Sequence, residues 1–446
     1  MNLRPPYLSV YDPEEASEGS IDPLSLMPVY ERLAERILPF LTVRMARPRF
    51  LTAMSVGAHV CQPFGDALAT DGKTSAELVF EWHVVEAFVR RRSDFADGAF
   101  YGIPGVGKVA RALRDDRSLS AATYLKTAKV FGFTGVYRRL AKGLLVLNDD
   151  LGLDEGGFDL LRAWEEDQDL EGFLEGRTGA GAQLREELRH AVGEGMSKGY
   201  TNQSSDWRGW EAIKRHLHPG MIGPKESSRL RARLFSDQMP GCPGDPEAAS
   251  MRREFLTLLE ASGQLVERVD EAEYFRALMP KASENLRSRL EAIDAYEMLC
   301  RPLEDAFRFI LHLSTRQGGK AIDRQDFSDE LPPAAFLERI RKATDWARDV
   351  FVGTAFEAEI SSLFDRYTSV DDTRNLFDIL VNHHEATQRD KPPDGKRPWV
   401  EKAAAGVIVR TMYQEPAPPD GADVYLHDYR SHTASTFLQD LGRLPR

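Results

Sequence analysis

Apolar residues recur every three or four positions through most of this chain, and that spacing commits it to helices. Val29, Leu33, Ile37 and Leu41 are spaced by four, and Leu78, Trp82, Val85 and Val89 make a second stripe. A 3.6-residue repeat returns such positions to one helix face, where they can be buried together. From Met251 to about Gln388 helical patterns follow one another, over Phe255–Leu259, Leu286–Leu313, Ala334–Val350 and Ala355–Tyr367. The pattern changes only near the end. Val407–Gln414 and Val424–His427 read as short strands around a Pro/Gly turn, and Ser435–Leu441 as a last helix. The expected fold class is mainly α and multi-domain, with a short β-hairpin near the C-terminus.

Breakers divide the 446 residues, a length that suits several domains. Residues 1–27, rich in Pro, Glu and Ser, read as an extended arm, and 28–100 as an N-terminal helical region. Residues 101–175 form a distinct unit, and 176–237 a basic helical connector. Within that connector, Gly176–Gly199 reads as a glycine-rich joint around one short helix. Trp207–Phe235 reads as two short helices parted by Pro219–Pro224. The Pro/Gly-rich 238–250 reads as a linker, and 251–446 as a C-terminal helical domain carrying the hairpin.

The formal net charge of −12 argues against nucleic-acid binding over the whole surface, so any such binding must come from a local patch. Three cysteines, Cys61, Cys242 and Cys300, lie far apart, which predicts neither a zinc site nor a disulfide framework and suits a reducing cytoplasm. No uncharged run approaches the ~18 apolar residues of a membrane span. The acidic start, with Asp12, Glu14, Glu15 and Glu18, does not read as a signal peptide.

The stretch Gly102–Val109 admits three readings. Gly102, Gly107 and Lys108 match a phosphate-binding P-loop, but Val109 stands where a Ser or Thr hydroxyl should hold Mg²⁺. Leu144–Leu147 running into Asn148, Asp149 and Asp150 is a matching Walker-B-like string. Pro104-Gly105-Val106-Gly107 is similar to the hairpin of helix-hairpin-helix DNA-binding elements, whose turn N–H groups hold a phosphate. The plainest reading is a tight glycine turn that opens a helix.

The segment beyond that turn is strongly basic. Between Gly102 and Lys142 lie nine cations: Lys108, Arg111, Arg114, Arg117, Lys126, Lys129, Arg138, Arg139 and Lys142. Only Asp115 and Asp116 oppose them, so this segment runs against the sign of the whole chain. Ser120 is placed to cap a helix over Ala121–Phe131, with Gly132-Phe133 as a turn and Thr134 as the cap of a second helix. Leu144–Asn148 then reads as a strand and Gly156–Glu166 as a further helix. Helix, turn, helix, strand, helix over 105–175 resembles a winged-helix, or helix-turn-helix, DNA-binding module. The resemblance implies that Thr134, Tyr137, Arg138 and Lys142 face DNA and that Lys126 and Lys129 meet phosphates, with Lys108, Arg111 and Arg139 adding to the same basic face. The next stretch, Asp149–Glu175, holds eleven acidic residues against Arg162 alone. It can pair with the basic face or repel DNA beside it.

Other polar groups carry less. A second basic island spans Arg208–Arg233, interleaved with Trp207 and Trp210. It reads either as a phosphate-tracking strip or, slightly better, as amphipathic helix with Leu230 and Leu234 buried. Adjacent His383 and His384 read as a surface pair at a helix end, since adjacent positions point to different faces. Residues 390–399 read as a rigid, charged loop tipped by Trp399, with carboxylates and lysines of the kind nucleases use. Turn and capping roles account for His427–His432. The leading expectation is a non-enzymatic, cytoplasmic subunit of a bacterial DNA-handling system, such as restriction or phage defence. It would bind double-stranded DNA through 105–175 and a protein partner or second copy through the C-terminal helices, with no cofactor, catalytic residue, metal or membrane. The rival expectations are an NTPase using Gly102–Lys108, a metal-dependent nuclease using 390–399, and a scaffold for an acidic protein.

Overall fold

A computed structural model describes residues 22–90, 102–237, 247–267, 271–330, 333–392, 394–421 and 423–445, the side chains of 333–336 excepted. In chain order its helices are α1 (Met27–Ile37), α2 (Phe50–Cys61), α3 (Ala76–Arg90), α4 (Val106–Arg114), α5 (Ala128–Phe131), α6 (Phe133–Gly143), α7 (Glu155–Asp167), α8 (Ala180–Lys198) and α9 (Arg208–Leu217). They continue as α10 (Pro224–Leu234), α11 (Ala248–Ser262), α12 (Glu271–Leu278), α13 (Glu284–Arg316), α14 (Arg324–Glu330), α15 (Pro333–Phe351), α16 (Glu357–Phe364), α17 (Thr373–Asp390) and α18 (Ser431–Asp440). The one sheet among the described residues pairs β1 (Val400–Ala403) with β2 (Gly406–Val409), antiparallel, with Val400 opposite Val409 and Ala403 opposite Gly406. The fold is mainly α, as the periodicity requires. No helix among the described residues is long and apolar enough to cross a membrane.

Contacts group the chain into two units. The first comprises Met1–Leu33, Ala272–Pro280 and Arg287–His427; the second comprises Ala34–Glu271, Lys281–Leu286 and Asp428–Arg446. In the second unit α3 is the central helix, packed by α2, α4, α6, α8 and α9. Leu78, Trp82 and Val85 are buried as their spacing predicts, and so are Glu81, His83 and Glu86 on the other faces. These carboxylates are tolerated because each is hydrogen-bonded. Tyr124 Oη and the Thr134 N–H donate to Glu81, each at 2.8 Å, and Thr201 Oγ1 donates to Glu86 at 2.7 Å. A second buried charge, Arg49, pairs through Nε with Glu226 at 3.0 Å and donates to the carbonyls of His216 and His218.

The first unit is organised on α13, roughly 50 Å long at 1.5 Å per residue. One side carries Leu290, Ile293, Leu303, Phe307 and Ile310 into the core. Buried acids on the same helix take partners at short range: Asp294 from Arg276, Glu297 from His427, Glu304 from Arg308 and Asp305 from Arg301. Helix α17 is buried on more than one face. His383 Nδ1 is hydrogen-bonded with Tyr367 Oη at 2.7 Å, and His384 lies between the Pro23 carbonyl, 2.9 Å from Nδ1, and the Trp399 N–H, 2.8 Å from Nε2.

Several expectations need correction. The expected Ala121–Phe131 helix is confined to α5, and 121–127 are turns. Hydroxyls explain the difference. Thr123 Oγ1 accepts from Ser120 N at 2.9 Å and donates to the Ser118 carbonyl at 2.8 Å, so side chains satisfy backbone groups that a helix would use. No strand forms over Leu144–Asn148; Leu147 makes an isolated bridge to Leu153 around a tight turn, so the Walker-B-like arrangement is not built. The glycine-rich joint is a 19-residue helix, α8, with Leu184, Leu188 and Val192 buried. The hairpin partner of 406–409 is the preceding Val400–Ala403, joined by Ala404-Ala405, and not Val424–His427. His383 and His384 are core residues, not a surface pair, and Trp399 is buried against Tyr413 with ring centroids 4.3 Å apart. Of the arm, 1–21 lie outside the described residues, as do 238–246 of the linker; 248–250 already belong to α11.

Candidate nucleic-acid interface

The basic segment begins at Gly105, which caps α4 with φ of +82° and leaves no room for a side chain. A Cβ there would lie 2.5 Å from Tyr124 Cε2, so the tyrosine ring closes over the glycine turn. Helix α4 buries Val109 and Ala112, and its other face is set by the helical repeat. That face carries Lys108, Arg111 and Arg114, all exposed, with Arg117 exposed just beyond. Lys126 follows in the turns and Lys129 in α5, both exposed.

Helix α6 is fixed by a cap from another helix. Its N-cap, Gly132, has no side chain, and Glu81 of α3 supplies the acceptor for the Thr134 N–H. The approach is so close that a Cβ on Gly132 would sit 1.9 Å from Glu81 Oε1. Burial raises the Glu81 carboxyl above its ordinary range, and the N–H and hydroxyl donors pull against that shift. The helix then buries Phe133, Tyr137, Leu140 and Ala141 and turns Arg138 and Arg139 outward.

Tyr137 is therefore not a DNA-facing residue. It is fully buried, and its hydroxyl accepts from the N–H groups of Ala46 and Arg47 at 3.0 and 2.9 Å. Positions 133, 137, 140 and 141 follow the helical repeat, so the buried face of α6 was readable from spacing alone. Thr134 is half-buried in the first turn of α6. Arg139 is exposed but paired with Glu35 at 3.0 Å, and Lys142 with Asp149 at 2.9 Å. That hydrogen bond with Lys142 holds the Asp149 carboxyl below its usual range. The remaining seven cations, Lys108, Arg111, Arg114, Arg117, Lys126, Lys129 and Arg138, are exposed and make no ion pair among the described residues.

Three carboxylates of the acidic segment pair with the second basic island. Lys225 pairs with Glu166 at 2.8 Å, and Arg233 pairs with Glu155 and Asp159 at 2.8 and 2.7 Å. The second basic island is amphipathic helix, with Trp210, Leu230 and Leu234 buried and its cations largely neutralised. Lys129, Thr134 and Arg138 line a cleft of about 660 Å³ together with Asp66, Glu77 and Asp150.

Sequence reasoning did not single out Arg44, whose guanidinium lies 4.8 Å over the Phe131 ring. The two are distant in sequence, so no local pattern joins them. Arg114 and Arg117 were legible as charge and belong with the others. At the other sites named from sequence, Lys391 donates to the Asp22 carbonyl and Arg397 pairs with Glu401 at 2.7 Å. Among the described residues no group of three or more His, Cys, Asp or Glu is gathered closely enough to hold a metal ion. Comparison with known protein families, curated proteins and solved structures finds no match to this chain.

Proposed function

We propose that the second unit binds double-stranded DNA through its phosphate backbone, using the cations of 108–138, and that the protein is a DNA-associated subunit of a larger assembly. One observation carries the reading: seven exposed cations stay unpaired among the described residues, in a chain of net charge −12 whose other basic island is mostly paired with carboxylates. An unpaired surface cation gives up no internal partner when it meets a phosphate, and each phosphate neutralised releases counterions. In the winged-helix resemblance α6 takes the place of the recognition helix, and the outward residues it offers are Arg138, Arg139 and Lys142, while the Thr134 hydroxyl is turned to Glu81. The C-terminal helices would take the protein partner or second copy, where Trp346 and Val352 are exposed apolar residues.

The test is affinity for a labelled duplex as a function of salt. Each phosphate contact contributes a slope of about −0.9, so seven contacts set a ceiling of about −6 on log K against log salt. Arg138→Ala is expected to flatten that slope by about one. Arg139→Ala, whose partner Glu35 already holds it, is expected to change the slope less. Absence of duplex binding at low salt refutes the proposal and leaves an acidic protein as the partner of this face.

A further inference from the structure

Phe131 ends the single turn of α5 and is 47% exposed, beside Val130 at 46%. An isolated exposed apolar residue needs no explanation. This one is set among charge. Arg44 stacks its guanidinium over the ring, Val43 beside it in sequence is also exposed, and Lys126 and Lys129 are unpaired and exposed on the same short segment. Nor is the ring on a loose loop. Val130 N and Phe131 N donate to the Thr127 carbonyl at 2.9 and 3.0 Å, and Gly132 N to the Ala128 carbonyl at 2.8 Å. The next residues are anchored by Glu81.

An aromatic face held in place and flanked by cations is the arrangement that takes an unpaired base: the ring stacks on the base and the cations hold the phosphates on either side. Within a duplex the bases are stacked on one another and offer only their edges to the grooves, so such a ring gains nothing from continuous duplex. We infer that this surface prefers DNA in which duplex adjoins an unpaired stretch, with Phe131 stacking on the first unpaired base and Arg44, Lys126 and Lys129 holding the neighbouring phosphates. The inference rests on the proposed DNA binding and narrows its substrate.

The experiment compares three fluorescein-labelled probes on the full chain by anisotropy: a duplex, the same duplex with a single-stranded thymidine overhang, and the overhang strand alone. Wild type is expected to bind the overhang probe tightest. Phe131→Ala is expected to weaken binding of both probes that carry unpaired bases by roughly ten-fold, leave the plain duplex within about two-fold, and be rescued by Phe131→Trp. Lys126→Glu/Lys129→Glu is expected to weaken all three. If wild type binds all DNA but Phe131→Ala changes the probes equally or not at all, the stacking inference fails while duplex binding stands. If wild type binds no DNA, both fail together.

Discussion

The contact between Gly132 and Glu81 makes a quantitative prediction about how the basic face is held. In Gly132→Ala the new methyl would lie 1.9 Å from Glu81 Oε1 and 2.8 Å from the Ala128 carbonyl oxygen. The backbone itself accepts alanine, because φ is −74°. Relief must therefore come largely from the carboxylate, which has to retreat by about 1.5 Å to reach ordinary contact. That stretches two 2.8 Å hydrogen bonds, from Tyr124 Oη and Thr134 N, beyond bonding range. A hydrogen bond to a charged, buried group contributes about 1.5–3 kcal/mol, so losing both costs about 3–6 kcal/mol. Against this, replacing glycine restricts the unfolded chain and returns about 0.5–1 kcal/mol. The net expectation is a loss of about 2–5 kcal/mol, a large share of a typical folding stability of about 5–15 kcal/mol. Urea titration reads it through tryptophan fluorescence, since Trp82, Trp164, Trp207 and Trp210 all lie in the second unit. Hydrogen exchange localises it: peptides spanning 128–142 should lose protection first. The same substitution in a Glu81→Ala background should cost at least about 1.5 kcal/mol less, because the clashing carboxylate is gone. An equal cost in both backgrounds, or a single-variant cost under about 1 kcal/mol, refutes the trans-capping argument.

Two further expectations come from buried charge. Arg49→Ala leaves Glu226 buried without its cation and two carbonyls without a donor, and should cost about 3–5 kcal/mol; Arg49→Met/Glu226→Met should recover much of it, and a double variant as unstable as the single one contradicts the reading. Burial lowers the imidazole of His384 to about 4, and its Nε2 can accept from the Trp399 N–H only when unprotonated. A histidine depressed on folding takes up its proton on unfolding, so this stability is complete above about pH 6.5 and is lost as pH falls towards 4, on the order of 3 kcal/mol in all. Urea midpoints measured between pH 7 and 4 should fall accordingly in wild type and less in His384→Gln. A folded-state His384 resonance titrating near its ordinary value refutes it.

Periodicity delivered the helical class and the stripe of α3, because burial on one face leaves a trace in sequence. It did not deliver the burial of Glu81 and Glu86 on the same helix, since a carboxylate looks solvent-facing until its donors are known. Those donors, Tyr124, Thr134 and Thr201, come from distant segments. His383 and His384 misled for the same reason. Adjacent positions do face different ways, but α17 is covered on both, so each finds an internal partner. Of the residues expected at the interface, charge placed Lys108, Arg111, Lys126, Lys129 and Arg138 on the surface. It could not tell that Arg139 and Lys142 had already found carboxylates, because pairing depends on which acids the fold brings near.

That pairing decides how the charge of this chain should be read. The acidic segment 149–175 follows the first basic island directly, and sequence proximity suggests that the two neutralise each other. Helix α7 instead packs on α10. Its acids lie along the face that meets Lys225 and Arg233, so the second island, some 60 residues further on, receives them. Of the first island only Lys142, at the junction, is taken up, by Asp149. Two islands of similar composition thus end in different states. One has most of its cations paired with carboxylates at the surface, and the other keeps its charge unpaired. Surface ion pairs add little stability, so leaving seven cations unpaired costs the fold little. What those cations retain is the capacity to exchange counterions for an external polyanion, and this asymmetry between the islands favours 108–138 over 208–233 as the proposed interface.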